Sequence, residues 1–205
     1  MPLDSGYHSR GYLPHIKVAG AAYFVTFRLA DSLPREVVLR LKEQRDELLR
    51  RAVEGRQDEH LIGRELHAWY AVKVDSILDR HGGAAWMNQK EVANVVASAL
   101  RHFDQKRYHL HAWCVMPNHV HAVLRPLADH SLERILHSWK SFTATEANKL
   151  LDRVGQPFWQ HESYDHWIRD DADLWHCCRY TEENPIKAGM CSEQKAWPWS
   201  SAARK

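Results

Sequence analysis

Long apolar runs are missing from this 205-residue chain, and their absence excludes several classes of protein. No stretch approaches the roughly 20 apolar residues that cross a bilayer as a helix. The first ten residues also lack the apolar core of a secretory signal peptide. The sequence therefore predicts a cytoplasmic protein.

Paired cysteine motifs are missing as well. None of the four cysteines, Cys114, Cys177, Cys178 and Cys191, belongs to a Cys-x-x-Cys pair, which argues against a zinc ribbon or a thioredoxin-like site. His176 precedes two of them, but consecutive residues of a helix point in different directions and would converge poorly on one ion. We expect reduced, mostly buried thiols.

A strong net charge is the third missing feature. The formal net charge is +2 and the isoelectric point is near 8.4, so DNA binding is permitted but would depend on local basic clusters. A content of 44% hydrophobic and 26% charged residues is typical of a soluble globular protein. The length and the lack of internal repeats predict one domain over residues 1–205.

Strand and helix patterns alternate without the regular βαβ repeat of a parallel sheet. Strand patterns cover residues 22–29, 108–125 as a hairpin, and 164–169; helical patterns cover 34–53, 60–79, 88–104 and 131–151, and a last helix begins at 170–171. The tight central hairpin favours an α+β domain, with helices packed on an antiparallel sheet. Trp139 falls in the apolar stripe of its helix and is expected in the core, and the aromatic tail 197–201 is expected to pack back on the body.

The most informative motif is His119-Val120-His121, which follows the turn residues Pro117 and Asn118 and opens an apolar strand. Side chains alternate along a strand, so both imidazoles point to one face and Val120 to the other. Two convergent imidazoles form half of a metal site. Because the chain has 15 histidines, a chance or purely structural pair is the alternative.

A second pair of polar residues lies in the last helix. Tyr180 and Asn184 are four residues apart and share one helix face, which brings a phenol next to an amide oxygen that could bind a metal. The alternative is a half-buried tyrosine and a helix-ending asparagine before Pro185. Tyr164, beside Asp165, is a rival nucleophile, for which structural packing is the favoured interpretation.

Several blocks of sequence, in their order and spacing, resemble the REP-associated tyrosine transposases. This family is the domesticated bacterial branch of the IS200-like, single-tyrosine HUH transposases, where HUH means His, hydrophobic, His and REP means repetitive extragenic palindrome. The blocks are residues 108–121, Ser138-Trp139-Lys140, Phe158-Trp159-Gln160, Tyr164-Asp165, Ile168-Arg169, Tyr180, residues 184–189 and residues 197–201. The segment from about 34 to 85 is longer than in compact members of the family and has no assigned role.

The resemblance implies a ferredoxin-like antiparallel sheet, the HUH endonuclease fold, with the histidine pair on a central strand. It implies that His119 and His121 bind a metal, that Tyr180 is the nucleophile and that Asn184 is a third ligand. Two imidazoles and an amide oxygen leave positions open for substrate and water, which suits Mg²⁺ or Mn²⁺. A closed zinc site would want a fourth protein ligand.

The activity implied is metal-dependent cleavage and rejoining of single-stranded, hairpin-forming DNA through a 5′-phosphotyrosine. Basic residues near the site in sequence are candidate DNA contacts, although solvated helix faces explain most such charges: Arg134, Lys140, Arg169, Arg179 and Lys187. Two other functions stay open, a hairpin-binding module that has lost cleavage and a metallohydrolase of small phosphoesters. The sequence does not decide between a monomer and a homodimer.

Overall fold

A four-stranded antiparallel sheet forms the centre of the computed structural model, which describes residues 6–10, 13–17, 20–55, 69, 73–79 and 83–204. The strands are β3 (Ala22–Arg28), β4 (Tyr108–Val115), β5 (His119–Pro126) and β6 (Tyr164–Ile168); β1 (Gly6–Arg10) and β2 (Leu13–Lys17) form a separate two-stranded sheet. The order in the sheet is β4-β5-β3-β6, and every neighbouring pair is antiparallel. This strand order is ferredoxin-like, which confirms the predicted α+β class.

Five α-helices connect or follow these strands in the described part of the chain. They are α1 (Arg35–Glu54), α2 (Asp75–Leu78), α3 (Lys90–His102), α4 (Leu132–Leu150) and α5 (Asp171–Lys187). The first three lie between β3 and β4, α4 lies between β5 and β6, and α5 follows β6. None of the helices in the described ranges has both the length and the apolar character that a membrane span requires.

The two faces of the sheet bury different helices, because side chains alternate along each strand. Val120, Ala122 and Leu124 of β5 belong to a core with residues of α3 and α4. Val123 belongs to a second core, which holds residues of α2 and α5. Odd-numbered positions of β5, the histidines included, therefore face the side that α2 and α5 cover.

The C-terminal tail packs against β4, as its aromatic content predicts. The backbone N–H of Val115 donates to the carbonyl of Trp199 at 2.8 Å, and the indole of Trp197 donates to the carbonyl of Val115 at 3.0 Å. Trp139 is buried, also as predicted, and its indole donates to the Tyr108 hydroxyl at 2.9 Å.

Two expectations about helices differ from the structure. The predicted helix over residues 60–79 falls largely outside the described residues; within them Trp69 and α2 are helical, and residues 73–74 form a π-helical turn. The alternative in which Asn184 ends the last helix is wrong, because α5 continues to Lys187 with Pro185 inside it. Pro185 has no N–H to donate to the carbonyl of residue 181, and the helix ends two residues later.

Candidate active site

The histidine pair lies at the start of β5, directly after the tight β4–β5 turn. His119 and His121 are fully buried, and their Nε2 atoms are 3.0 Å apart. The two imidazoles therefore converge, as alternation along the strand predicts. A separation this short places both ring nitrogens around one point in space.

The other ring nitrogen of each histidine is held by the protein. The Asn118 amide donates through Nδ2 to the carbonyl of Leu78 at 2.7 Å, so its Oδ1 faces the His119 Nδ1, also at 2.7 Å, and accepts from it. Thr26 Oγ1, opposite His121 in the β3–β5 register, lies 2.8 Å from the His121 Nδ1. With each Nδ1 next to an oxygen, the two Nε2 atoms face each other and are placed to bind a cation together, an arrangement that is common around metal-binding histidines.

Helix α5 brings Tyr180 to the same face of the sheet. The Tyr180 ring lies 5.8 Å from the His121 ring, and the Phe24 ring packs against both. Asn184 follows one turn later and is buried, and no described residue donates a hydrogen bond to its Oδ1. The Lys187 ammonium lies 4.4 Å from the centre of the Tyr180 ring.

Asp75, the first residue of α2, is a member of this site that sequence reasoning missed. Its side chain is 2% exposed, its Oδ2 lies 3.6 Å from the His121 Nε2, and the Tyr180 hydroxyl donates to the same Oδ2. Its Oδ1 accepts no hydrogen bond among the described residues. Burial raises the pKa of the Asp75 carboxyl to about 8, and the hydrogen bond from Tyr180 opposes this only in part.

The donor atoms in this site fit a divalent cation. Asp75, His119 and His121 offer one oxygen and two nitrogens that all lie within 4.8 Å of one another. The unsatisfied oxygens of Asp75 and Asn184 are costly to bury unless some group binds them. Imidazole nitrogens with a carboxylate oxygen form a ligand set that Mg²⁺ and Mn²⁺ accept.

A second group of potential ligands, His166, Asp173 and Cys177, is better explained as a structural contact between β6 and α5. The Asp173 carboxylate pairs with the His166 Nε2 at 3.1 Å and accepts the backbone N–H of Arg169 at 3.2 Å. Burial and the charge of Asp173 raise the pKa of the Cys177 thiol far above its usual range. A neutral thiol is a poor metal ligand, so this cluster does not resemble a metal site.

The side chain of Lys140, one of the predicted DNA contacts, makes hydrogen bonds within the protein. Its ammonium donates to the carbonyls of Gln160 and His161 at 2.6 and 2.8 Å and to the Ser163 hydroxyl at 3.3 Å. Burial, with the charge of Arg28, lowers the pKa of Lys140 to about 8. These contacts assign Lys140 a role in holding the loop before β6.

The other predicted DNA contacts are more accessible. Arg179 and Lys187 are exposed on α5, and both pair with Glu183, at 2.6 and 3.5 Å. Arg134 is exposed on α4 and Arg169 is half-buried after β6. Their contacts with DNA stay predictions.

Tyr164, the rival nucleophile, lies in the second core. It is 7% exposed, and its ring packs edge-on against Phe24 at 6.4 Å. Tyr180 is half-buried and is the tyrosine whose ring lies next to His121. The geometry thus favours Tyr180 as the reactive tyrosine.

A ferredoxin-like sheet that carries a His-hydrophobic-His pair on a central strand, with a tyrosine on the helix above it, defines the HUH class of DNA-processing domains. Residues 84–184 match the family model described as "Transposase IS200 like". This match, over about half of the chain, confirms the resemblance to the IS200-like transposases drawn from the sequence. The matched segment contains His119, His121, Tyr180 and Asn184, whereas Asp75 lies before it.

Individual relatives agree with the family. A putative REP-associated tyrosine transposase of Haemophilus influenzae is 32% identical over 102 residues, which cover 45% of this chain and 58% of that protein. The REP-associated tyrosine transposase of Escherichia coli K12 is 29% identical over 99 residues, which cover 47% of this chain and 56% of that protein. The chain thus spans a little more than half the length of the curated relatives it matches.

A solved structure supports the fold over a longer stretch. It is that of a REP-associated tyrosine transposase bound to a REP hairpin, and it has a TM-score of 0.53 and 18% sequence identity with this chain. The alignment covers 96% of this chain and 82% of the other. At this identity the likeness shows the shared fold.

Proposed function

We propose that this protein is a metal-dependent, single-strand DNA endonuclease and strand transferase of the transposase type. In this proposal Tyr180 is the nucleophile, and His119, His121 and Asn184 hold the cation. The observation that carries the proposal is the convergence of the two histidine Nε2 atoms, 3.0 Å apart, next to the Tyr180 ring. The match to the family model and the names of the relatives support hairpin-forming DNA as the substrate.

The reaction is a displacement at one DNA phosphorus. The Tyr180 Oη forms a bond to phosphorus while the bond from phosphorus to the 3′-oxygen breaks, which gives a 5′-phosphotyrosine and a free 3′-hydroxyl. The phenol loses one proton and the leaving 3′-oxygen gains one, so the step is balanced. Because one ester replaces another, the 3′-hydroxyl of a second strand can reverse the step and join strands without ATP.

The side chains around Tyr180 suit this role. A phenol with a reference pKa of about 10 needs help to lose its proton. The Tyr180 hydroxyl donates to the Asp75 carboxylate, which fixes the direction of the O–H bond, and the nearby Lys187 ammonium favours negative charge on the phenol oxygen. A bound Mg²⁺ or Mn²⁺ would neutralise the phosphate and polarise one of its oxygens.

The test is a search for the covalent protein–DNA adduct. Wild-type protein, Tyr180→Phe and Tyr164→Phe are incubated with labelled single-stranded hairpins and Mg²⁺ or Mn²⁺, and adducts that survive denaturation are counted on a gel. We expect adducts with wild type and Tyr164→Phe and none with Tyr180→Phe. Tyr164→Phe is the matched control because its ring also packs against Phe24.

Each other outcome overturns part of the proposal. Adduct formation by Tyr180→Phe would show that the nucleophile is a different residue. Cleavage without an adduct would identify a hydrolase, and binding without cleavage across a panel of hairpins would identify a DNA-binding module.

A further inference from the structure

Asp75 lies outside the segment that matches the family model, yet its side chain is part of the proposed active site. The residue begins α2, in the long connection between β3 and β4. Its Oδ2 faces the His121 Nε2 and accepts from the Tyr180 hydroxyl. The connection whose role the sequence left open thus contributes a carboxyl group to the site.

A carboxylate in this position needs a partner. Asp75 is almost fully buried, and its Oδ1 accepts no hydrogen bond from the described residues. A buried oxygen that accepts no hydrogen bond costs about 1–3 kcal/mol. A divalent cation between the three side chains would bind this carboxylate together with the Nε2 atoms of His119 and His121, since the ligand atoms all lie within 4.8 Å of one another.

We propose that Asp75 is a ligand of the divalent cation, so that α2 supplies a carboxylate to the site formed by His119 and His121. This inference rests on the proposed function, since it concerns the same cation. A carboxylate changes the character of the site, because it neutralises one of the two cation charges and is a ligand type that Mg²⁺ and Mn²⁺ prefer.

Contacts on both sides of Asp75 hold it in place before any cation arrives. Val74 and Leu78 are buried in the second core. The Leu78 carbonyl accepts the Asn118 amide at 2.7 Å, which joins α2 to the residue before His119. A ligand held by packed neighbours loses little freedom when it binds a metal.

After α2, the backbone at Gly83 lies in close contact with the residues that follow β3. A Cβ at this position would lie 2.3 Å from the Asp31 carbonyl oxygen, and the neighbouring Ala84 N–H donates to the same oxygen at 2.9 Å. Only glycine permits this approach without a shift of the backbone. The connection is therefore fixed to the end of β3 as well as to the turn before β5.

The experiment measures metal binding without DNA. Mn²⁺ affinity is determined by calorimetry and by electron paramagnetic resonance for wild type, Asp75→Asn, Asp79→Asn and His119→Ala. Asparagine keeps the shape of Asp75 and can still accept the Tyr180 hydrogen bond. Asp79→Asn is the matched control, because it removes one carboxylate from the next turn of the same segment.

We expect Asp75→Asn to weaken Mn²⁺ binding at least tenfold, since even groups that only orient metal ligands are worth about 10- to 100-fold in affinity. Asp79→Asn should change affinity less than threefold. Equal losses in both variants would mean that Asp75 acts through its charge at a distance and would overturn the inference. An unchanged affinity in Asp75→Asn beside a large loss in His119→Ala would overturn it too, while the proposed metal site would stand.

Failure of the proposed function gives a different result, in which His119→Ala binds Mn²⁺ as well as wild type. If Asp75→Asn does not fold, wild-type protein with ¹³C-labelled aspartate carboxylates provides the second measurement. Titration with Mg²⁺ should then shift one buried carboxylate resonance strongly, and Asp75→Glu should remove that resonance from the aspartate spectrum. Absence of any shifted buried carboxylate contradicts ligation by Asp75.

Discussion

The side-chain amide of Asn118 joins α2 to His119, with the Asn118 Nδ2 donating to the Leu78 carbonyl and its Oδ1 accepting from the His119 Nδ1, both at 2.7 Å. The first bond fixes the orientation of the amide, and the amide then fixes the protonated nitrogen of His119. The Nε2 of His119 consequently faces the Nε2 of His121 at 3.0 Å. A single buried asparagine thus couples the connection between β3 and β4 to the face of β5 that carries the two histidines.

Two substitutions of Asn118 should distinguish the effects of these two hydrogen bonds. Asn118→Ala removes both, and we expect it to lower the free energy of unfolding by about 1–3 kcal/mol and Mn²⁺ affinity by about 10- to 100-fold. Asn118→Asp keeps the acceptor for His119 but loses the donor to Leu78, so its metal affinity should fall less. The measurements are urea unfolding and calorimetric Mn²⁺ titration.

The comparison between the two variants is the control for this prediction. Aspartate adds a negative charge, and this charge by itself raises the affinity for a cation. The unfolding free energies of Asn118→Asp and Asn118→Ala are therefore compared at the same pH, in addition to their Mn²⁺ affinities. Equal Mn²⁺ affinity in wild type and Asn118→Ala would contradict a role for the amide in orienting His119.

Much of the fold could be predicted from local sequence. The β4–β5 hairpin, the amphipathic α4 and the strand β6 each lie within a few residues of their predicted positions, because their patterns repeat over short distances. The direction of His119 and His121 also follows from one local rule, alternation along a strand. That Tyr180 and Asn184 share one face of a helix follows from the helical period alone.

Asp75 could not be predicted in this way. It is 46 positions before His121 and 105 before Tyr180 in the sequence, yet it contacts both through the fold. Its α-helix has four residues, too few for an apolar period to appear. The internal hydrogen bonds of Lys140 show the same limit, since its acceptors at residues 160, 161 and 163 come from a loop without a periodic pattern.

Substitution of Lys140 can distinguish an internal role from a DNA contact. Lys140→Met leaves two backbone carbonyls without their donor, so we expect the free energy of unfolding to fall by about 1–3 kcal/mol. The salt dependence of hairpin binding should stay as in wild type. Urea unfolding and DNA binding at several salt concentrations are the measurements.

The control for Lys140 is Arg134→Met on the same helix. Arg134 is exposed, so its loss should change stability by less than about 0.5 kcal/mol, and it should reduce the salt slope by about 1 if the guanidinium contacts a phosphate. A stable Lys140→Met protein with a salt slope reduced by about 1 would instead assign the phosphate contact to Lys140.

The His166–Asp173 pair should give stability that disappears in acid. Burial by itself raises the pKa of Asp173, but the hydrogen bond and charge of His166, together with the Arg169 N–H, outweigh burial and lower the pKa to about 2. Since the unfolded value is about 3.9, the ionised carboxylate stabilises the folded state by up to about 2 kcal/mol above pH 4. That contribution is lost as the pH falls from about 4 to about 2.

We therefore expect Asp173→Asn to unfold more easily than wild type at pH 6 and the difference to shrink steadily below pH 4. Urea unfolding at pH 6, 4, 3 and 2.5 measures it. Asp171→Asn, in the same first turn of α5 but exposed, should cost only the roughly 0.3–1 kcal/mol of a charge at a helix N-terminus. A difference for Asp173→Asn that is as large at pH 2.5 as at pH 6 would mean that Asp173 stabilises the contact between β6 and α5 by shape and not by its charge.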